Sequence, residues 1–177
     1  MITIRHKFLD KEIVSDTEIL IIGTFNPDTE NNTADYFYGR NKNYLWRLLA
    51  TSYGEADLKG KNKSGKMQFI KERKINFIDL IEEVKVEKGK ETNYNDAYLD
   101  NKVTKWRNIQ SEIDKLPNLK KVCFTRKSFS DVPNIKNKIV ELEKLFNEKG
   151  ILFKYLVTPA RIYSVEKQNE WTNFFTS

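Results

Sequence analysis

The sequence is poor in the residues that build metal and redox centres. It has one cysteine, Cys123, and one histidine, His6, in 177 residues. A lone cysteine excludes a disulfide within the chain, a Cys-rich zinc site and a four-cysteine iron–sulfur cluster. A lone histidine excludes a His-rich metal centre. It also leaves serine and cysteine nucleophile schemes without a base at any strand end, so His6 reads as an ordinary surface or packed residue. No metal or other cofactor is expected. Glycine and proline are scarce too, at 7 and 4. No Pro/Gly linker divides the chain, and no glycine-rich phosphate loop or dinucleotide fingerprint is present. No apolar run approaches the ~20 residues a membrane helix needs. The opening MITIRHKFLDKE lacks the apolar core of a signal peptide. These absences point to a cytoplasmic protein with no membrane partner, expected to be monomeric.

The material that is present builds a core. Hydrophobic residues make up 39% and aromatics 12%, too much for a disordered chain. The length suits one domain, residues 1–177, able to bury roughly 70% of its unfolded surface. The net charge of +6 is unevenly spread. Residues 1–60 hold 7 basic and 9 acidic side chains, whereas residues 61–150 hold 21 and 14. The densest basic runs are residues 59–74, including Lys63 and Lys66, and residues 120–127, including Arg126 and Lys127. A lysine run is usually a solvated face. The sharper reading is a surface that contacts phosphates.

Four apolar runs read as strands: Glu18 to Phe25, Ile75 to Ile81, Lys121 to Thr125 and Ile151 to Thr158. Helical spacing lies between them. It covers Asn43 to Tyr53, then Trp106–Ile109–Ile113–Leu116, then Ile135–Ile139–Leu142–Phe146 closed by Gly150. A last helix is expected after Ser164, carrying Trp171 and Phe174. This alternation predicts an α/β fold: a three-layer sandwich with a central, mostly parallel four-stranded sheet flanked by helices. Ligands of such sheets bind beyond the C-terminal strand ends.

The segments at those ends are therefore the ones to inspect. After the first strand, residues 23–46 carry Asn26-Pro27, four further asparagines and Tyr36-Phe37-Tyr38. Asx residues suit turns, but a loop this long in a compact domain is usually functional or disordered, and adjacent aromatics argue against disorder. Rings beside amides suit a flat heterocycle. The third strand leads into Thr125-Arg126-Lys127-Ser128, expected to open a helix whose N–H groups and basic side chains suit a phosphate. The fourth ends in Thr158-Pro159-Ala160-Arg161, a short rigid loop presenting Arg161. Asp79, a carboxylate inside an apolar strand, needs a partner, and a strand-end hydrogen bond to a neighbouring loop is expected.

In order along the chain, these segments resemble the uracil-DNA glycosylase superfamily, nearest its mismatch-specific uracil and hypoxanthine branches. Gly23-Thr24-Phe25-Asn26-Pro27 is similar to the G-x-N-P or G-x-D-P at the first strand end, one residue longer. Lys42-Asn43-Tyr44-Leu45-Trp46 resembles P-R-N-x-F-W. Asp79 falls at a recurring Asp of the second-strand region, and Thr158-Pro159-Ala160-Arg161 resembles the end of P-S-T-S-P-A-N. The resemblance spans roughly residues 17 to 175. The chain departs from it in Gly39-Arg40-Asn41, in a last motif reduced to Thr158, and in having no H-P-S histidine.

The resemblance implies hydrolysis of the N-glycosidic bond of a deaminated base, uracil or hypoxanthine, flipped out of damaged or mismatched duplex DNA or taken from a single strand. It implies Asn26 holding the attacking water through its carbonyl oxygen, and Asn43 assisting at the departing base. Phe25, Tyr36 and Tyr38 would bind the base. Thr158, Arg161, Arg126, Lys127, Ser128, Lys63 and Lys66 would contact DNA. Two other readings share the basic surface and the aromatic loop. One is a non-catalytic nucleic-acid-binding module; the other is a small nucleotide- or nucleoside-processing enzyme.

Overall fold

The structure, a computed structural model, describes residues 1–177. Seven strands and six helices follow in the order β1 (Ile2–Arg5), β2 (Ile19–Gly23), α1 (Leu45–Ser52), α2 (Lys63–Glu72), β3 (Ile75–Asp79), β4 (Ile81–Val86), α3 (Asp96–Leu99), β5 (Val103–Trp106), α4 (Ile109–Ile113), β6 (Lys121–Phe124), α5 (Pro133–Glu148), β7 (Leu152–Tyr155) and α6 (Val165–Thr176). Four strands form a wholly parallel sheet in the order β3-β2-β6-β7. They are the four runs that the sequence marks as strands.

Strand alternation explains the layers. Side chains of β2 point to opposite faces with period two. Ile19 and Ile21 join one core with Phe77, Cys123, the α1 residues Leu45, Leu48 and Leu49, and Trp171 and Phe174 of α6. Leu20 and Ile22 join the other with Ile78, Val122, Phe124 and the α5 residues Ile135, Ile139 and Phe146. Every residue of β2 and of β3 is buried, which accounts for the apolar run of β2 and makes Asn76 and Asp79 of β3 buried polar side chains. Buried on both sides, Cys123 has its thiol pushed up by desolvation and serves as a small core residue.

A second sheet, antiparallel and ordered β1-β4-β5, joins the second core through Ile4, Val84 and Val86. The sequence gives no clear sign of it. Its strand β4 follows β3 after Leu80 alone, so one apolar run becomes two strands in different sheets. The same sheet corrects the helix expected from Trp106 to Leu116. Trp106 ends β5, where it pairs with Ile81, and the helix is only Ile109–Ile113, capped by Asn108. Pairing with β4 outweighs the helical spacing of a four-residue set.

Other ends follow local chemistry. The Asp100 carboxylate accepts from the N–H groups of Asn134 and Ile135 at 3.1 and 2.7 Å, with Pro133 opening α5. Gly150 ends α5 with φ 69°, a conformation in which a side chain is disfavoured. Ser164 caps α6 as expected. No helix is long and apolar enough to cross a membrane.

Candidate functional site

The C-terminal ends of the parallel strands open into a cleft of about 810 Å³. Its floor is the loop after β2, Thr24 to Asn26, with Asp79 at the end of β3 and Thr125 after β6. Tyr38, Arg40 and Asn43 line the cleft together with Tyr94, Asn95 and Asp96. Arg126 to Ser128 and Thr158 to Arg161 complete the rim. The cleft thus gathers Phe25, Asn26, Tyr38, Asn43, Arg126, Lys127, Ser128, Thr158 and Arg161, each singled out from sequence at one of three strand ends.

Asn26 is buried, and its side-chain oxygen accepts a hydrogen bond from Asn32 Nδ2 at 2.6 Å. Asn32 also donates to the Pro27 carbonyl at 2.7 Å, and its own oxygen accepts from Ala34 N–H at 3.2 Å. This fixes the Asn26 amide, leaving one carbonyl lone pair and the whole NH₂ unengaged. The N–H groups of Phe25 and Asn26 have no acceptor within the protein. Asn43 turns its oxygen onto Leu45 N–H at 3.0 Å, opening α1. The chain around it is pinned to the last loop by Tyr44 N–H to the Pro159 carbonyl and Arg161 N–H to the Lys42 carbonyl, at 2.9 and 2.8 Å.

Asp79 meets His6, which follows β1 and forms a bridge to Pro27. The 2.7 Å contact runs from His6 Nε2 to Asp79 Oδ2, and both side chains are nearly sealed from solvent. The expected strand-end hydrogen bond exists, but its donor is the ring of the packed histidine. Tyr38 lies next to Asp79, with its hydroxyl 3.1 Å from Thr125 Oγ1 and its ring against Phe77. Burial first, and then the Asp79 charge, raise its phenol well above the usual value. Tyr38 and Arg161 hold φ of 57° and 75°, a region non-glycine residues avoid.

Charge at the rim is partly neutralised within the protein. Arg126 pairs with Asp96 at 2.9 Å and Asp131 at 2.5 Å, and Lys127 with Glu170 at 2.6 Å. Burial raises the Asp96 carboxyl despite Arg126 beside it. Arg40 stacks 3.6 Å over the Tyr94 ring, and burial lowers its pKa. Neither Arg40 nor Arg161 makes an ion pair. The residues from Thr125 to Ser128 form an extended loop; the helix expected there begins only at Pro133.

Three expected site residues lie elsewhere. Tyr36 is 2% exposed, packed between Phe8, Phe37, Trp46 and Phe77, so its ring cannot stack on a base. Adjacent residues in the Tyr36-Phe37-Tyr38 run point different ways, and only Phe37 and Tyr38 reach the cleft. Lys66 is buried with its ammonium 3.2 Å from Asp35. Lys63, on the first turn of α2, neighbours Lys11 outside the cleft. Conversely, sequence reasoning missed Thr24, Arg40, Asn32, Tyr94, Asn95 and Asp96. Residues 94–96 carry an aromatic–amide–carboxylate signature like that of the first loop, but they follow the unforeseen sheet rather than a parallel strand.

No family model matches the chain. Over 117 residues it is 33% identical to a hypoxanthine DNA glycosylase of Methanosarcina barkeri, an alignment covering 65% of this chain and 67% of that protein. It also resembles a solution structure from Methanosarcina acetivorans, of a protein provisionally named a uracil DNA glycosylase. The TM-score is 0.65 at 24% identity, over 92% of this chain and 91% of the other. At that identity the likeness is one of fold.

Proposed function

The chain belongs to the uracil-DNA glycosylase superfamily, and from that premise we propose that it is a DNA glycosylase. It hydrolyses the N-glycosidic bond of a deaminated base, uracil or hypoxanthine, turned out of DNA into the cleft. The observation that carries this reading is the convergence of Asn26, Tyr38 and Asn43 from the long loop after β2, and Arg161 from the loop after β7, on one cleft at the parallel strand ends.

The base must first leave the duplex stack. That costs a few kcal/mol, least at a mismatch or lesion. Arg161, unpaired at the rim, fills the vacated space or holds the flanking phosphate. Phe25 and Tyr38 flank the base. The transition state has oxocarbenium character, and negative charge develops on the departing base. An amide is not a base, so Asn26 acts by positioning. Its remaining carbonyl lone pair orients the attacking water, while Asn32 keeps the group from rotating. The free N–H groups of Phe25 and Asn26 and the Asn43 amide stabilise the leaving group. Lys127, the one lysine lining the cleft, is tied to Glu170. That favours attack by water over an amine nucleophile, hence a monofunctional enzyme.

The test uses labelled oligonucleotides with a single uracil, hypoxanthine or xanthine, in single and double strands, followed by alkaline cleavage of abasic sites. Strand scission by the wild type and none by Asn26→Ala, with duplex binding retained, is the expected result. Equal release by both proteins refutes the role of Asn26. Retardation without scission favours a binding module, and neither effect favours a nucleoside enzyme.

A further inference from the structure

The loop that presents Arg161 is built around a buried cation. Lys167, on the first turn of α6, is 8% exposed. Its ammonium donates to the Ala160 carbonyl at 3.1 Å and to the Ile162 carbonyl at 2.7 Å. Those carbonyls belong to the residues on either side of Arg161. Burial alone lowers the Lys167 pKa, with no carboxylate to offset it.

Arg161 is the centre of a three-residue turn. Ile162 N–H donates to the Ala160 carbonyl at 3.1 Å, and Arg161 has φ 75°. That is the γ-turn of positive φ, the rare and strained form. The Ala160 oxygen thus accepts from Ile162 N–H and from Lys167 together. Arg161 N–H is tied in turn to the Lys42 carbonyl at 2.8 Å, beside Asn43.

Each feature is unfavourable by itself. A cation in the first turn of a helix meets the positive end of the macrodipole. A buried ammonium without a carboxylate has lost its water for no opposite charge. A turn of positive φ at a non-glycine residue is strained. They become consistent when taken together, because the turn gathers the two carbonyls that the ammonium needs. A glycine would adopt this turn unaided but would bring no charge. An arginine needs the turn held for it. Local rules broken jointly at the rim of a cleft mark a functional constraint.

We infer that Lys167 is a positioning residue: its ammonium locks the turn that presents Arg161 at the rim of the cleft, and so sets how firmly Arg161 engages DNA. This rests on the reading of the cleft as a DNA site and adds the group that fixes its basic edge.

Two measurements on the full chain test it. Lys167→Met keeps the stem and removes the donors. The first measurement needs no DNA and follows amide hydrogen exchange by NMR. Exchange at Arg161 and Ile162 should quicken roughly tenfold or more in Lys167→Met, while the amides of β2 and α5 keep their protection. Unchanged exchange at both positions overturns the inference. Should β2 and α5 lose protection as well, Lys167→Gln, which keeps a shorter neutral donor, is read in the same way. The second measurement is fluorescence anisotropy with a duplex holding a tetrahydrofuran abasic-site analogue. Arg161→Ala and Lys167→Met should each weaken binding by roughly five- to tenfold, and the double variant should be no weaker than Arg161→Ala. A merely structural Lys167 would multiply the two losses. That outcome overturns the inference, as does full duplex affinity in Lys167→Met. A wild type that does not hold the duplex refutes the DNA reading of the cleft and the role of Arg161 there. The exchange result then still decides whether Lys167 locks the turn.

Discussion

Asn32 Nδ2 donates to Asn26 Oδ1 at 2.6 Å, so the amide at the end of the first parallel strand is held by a second amide six residues on. Asn32 is itself buried and anchored at both ends of its side chain. Asn32→Ala should therefore leave duplex affinity nearly unchanged and lower single-turnover base release by about tenfold or more. That is the scale of one buried hydrogen bond. Asn32→Asp removes the donor but keeps the shape, and should do at least as much. Parallel measurement of kcat and duplex Kd checks this; an equal loss in both refutes a positioning role.

Gly23 sits where the floor of the cleft is tightest. A Cβ there would fall 2.3 Å from Asp79 Oδ1 and 2.4 Å from Tyr38 Oη. Neither neighbour is free to move, since Asp79 is bonded to His6 and Tyr38 to Thr125. Gly23→Ala should destabilise the protein by about 1–3 kcal/mol, the usual cost of overpacking. Base release should be lost even below the new melting temperature. Thermal melts and release assays at low temperature separate the two effects.

Arg161 combines an unpaired charge with a φ of 75°. Arg161→Gly should raise stability by about 1 kcal/mol by relieving the backbone. It should also weaken DNA binding and flatten the dependence of log K on log salt by about one unit. Arg161→Ala should show the same loss of binding without the gain in stability. Lys66→Ala, by contrast, removes a buried side chain and its ion pair with the exposed Asp35. It should lower stability and leave the salt slope intact.

Glu18 ties the N-terminal ends of three strands together through Lys74 and Lys120, both at 2.7 Å. Hydrogen bonds from Lys120 and then Lys74 hold its carboxyl down at about 2, against an ordinary value of 4.5. A folded-state value below the unfolded one gives stability that is complete above pH 4.5 and is lost as pH falls toward 2. Glu18→Gln should melt slightly below the wild type at pH 7 in low salt. The difference should shrink as pH drops through that window, and also in high salt because the group is exposed. Melting curves at a series of pH values test this.

The parallel sheet was legible because its strands are short, largely apolar local patterns; β2 and β3 are buried along their whole length and β6 nearly so, while β7 lies at the edge with only Phe153 and Tyr155 partly covered. The antiparallel sheet was not, because its half-exposed strands gain their identity from their partners. Val103–Trp106 is a strand only against Ile81–Val84. The candidate site was legible to the extent that it lies immediately after parallel strands, as Asn26, Arg126 and Arg161 do.

What the order of residues determined alone was the four parallel strands, the layers they imply, the exclusion of a disulfide within the chain and the family resemblance. Those follow from short-range periodicity and from composition. Tertiary structure decided orientation and pairing. It sealed Tyr36 in the core and left Tyr38, two residues on, partly open at the cleft. It paired Lys66 and left Arg161 free. It also brought the lone histidine, which by count merely excluded metal centres, to within 2.7 Å of a carboxylate 73 residues away. Contacts of that kind depend on how β1, paired with β4, carries His6 to the end of β3, and no local pattern in the sequence encodes that distance.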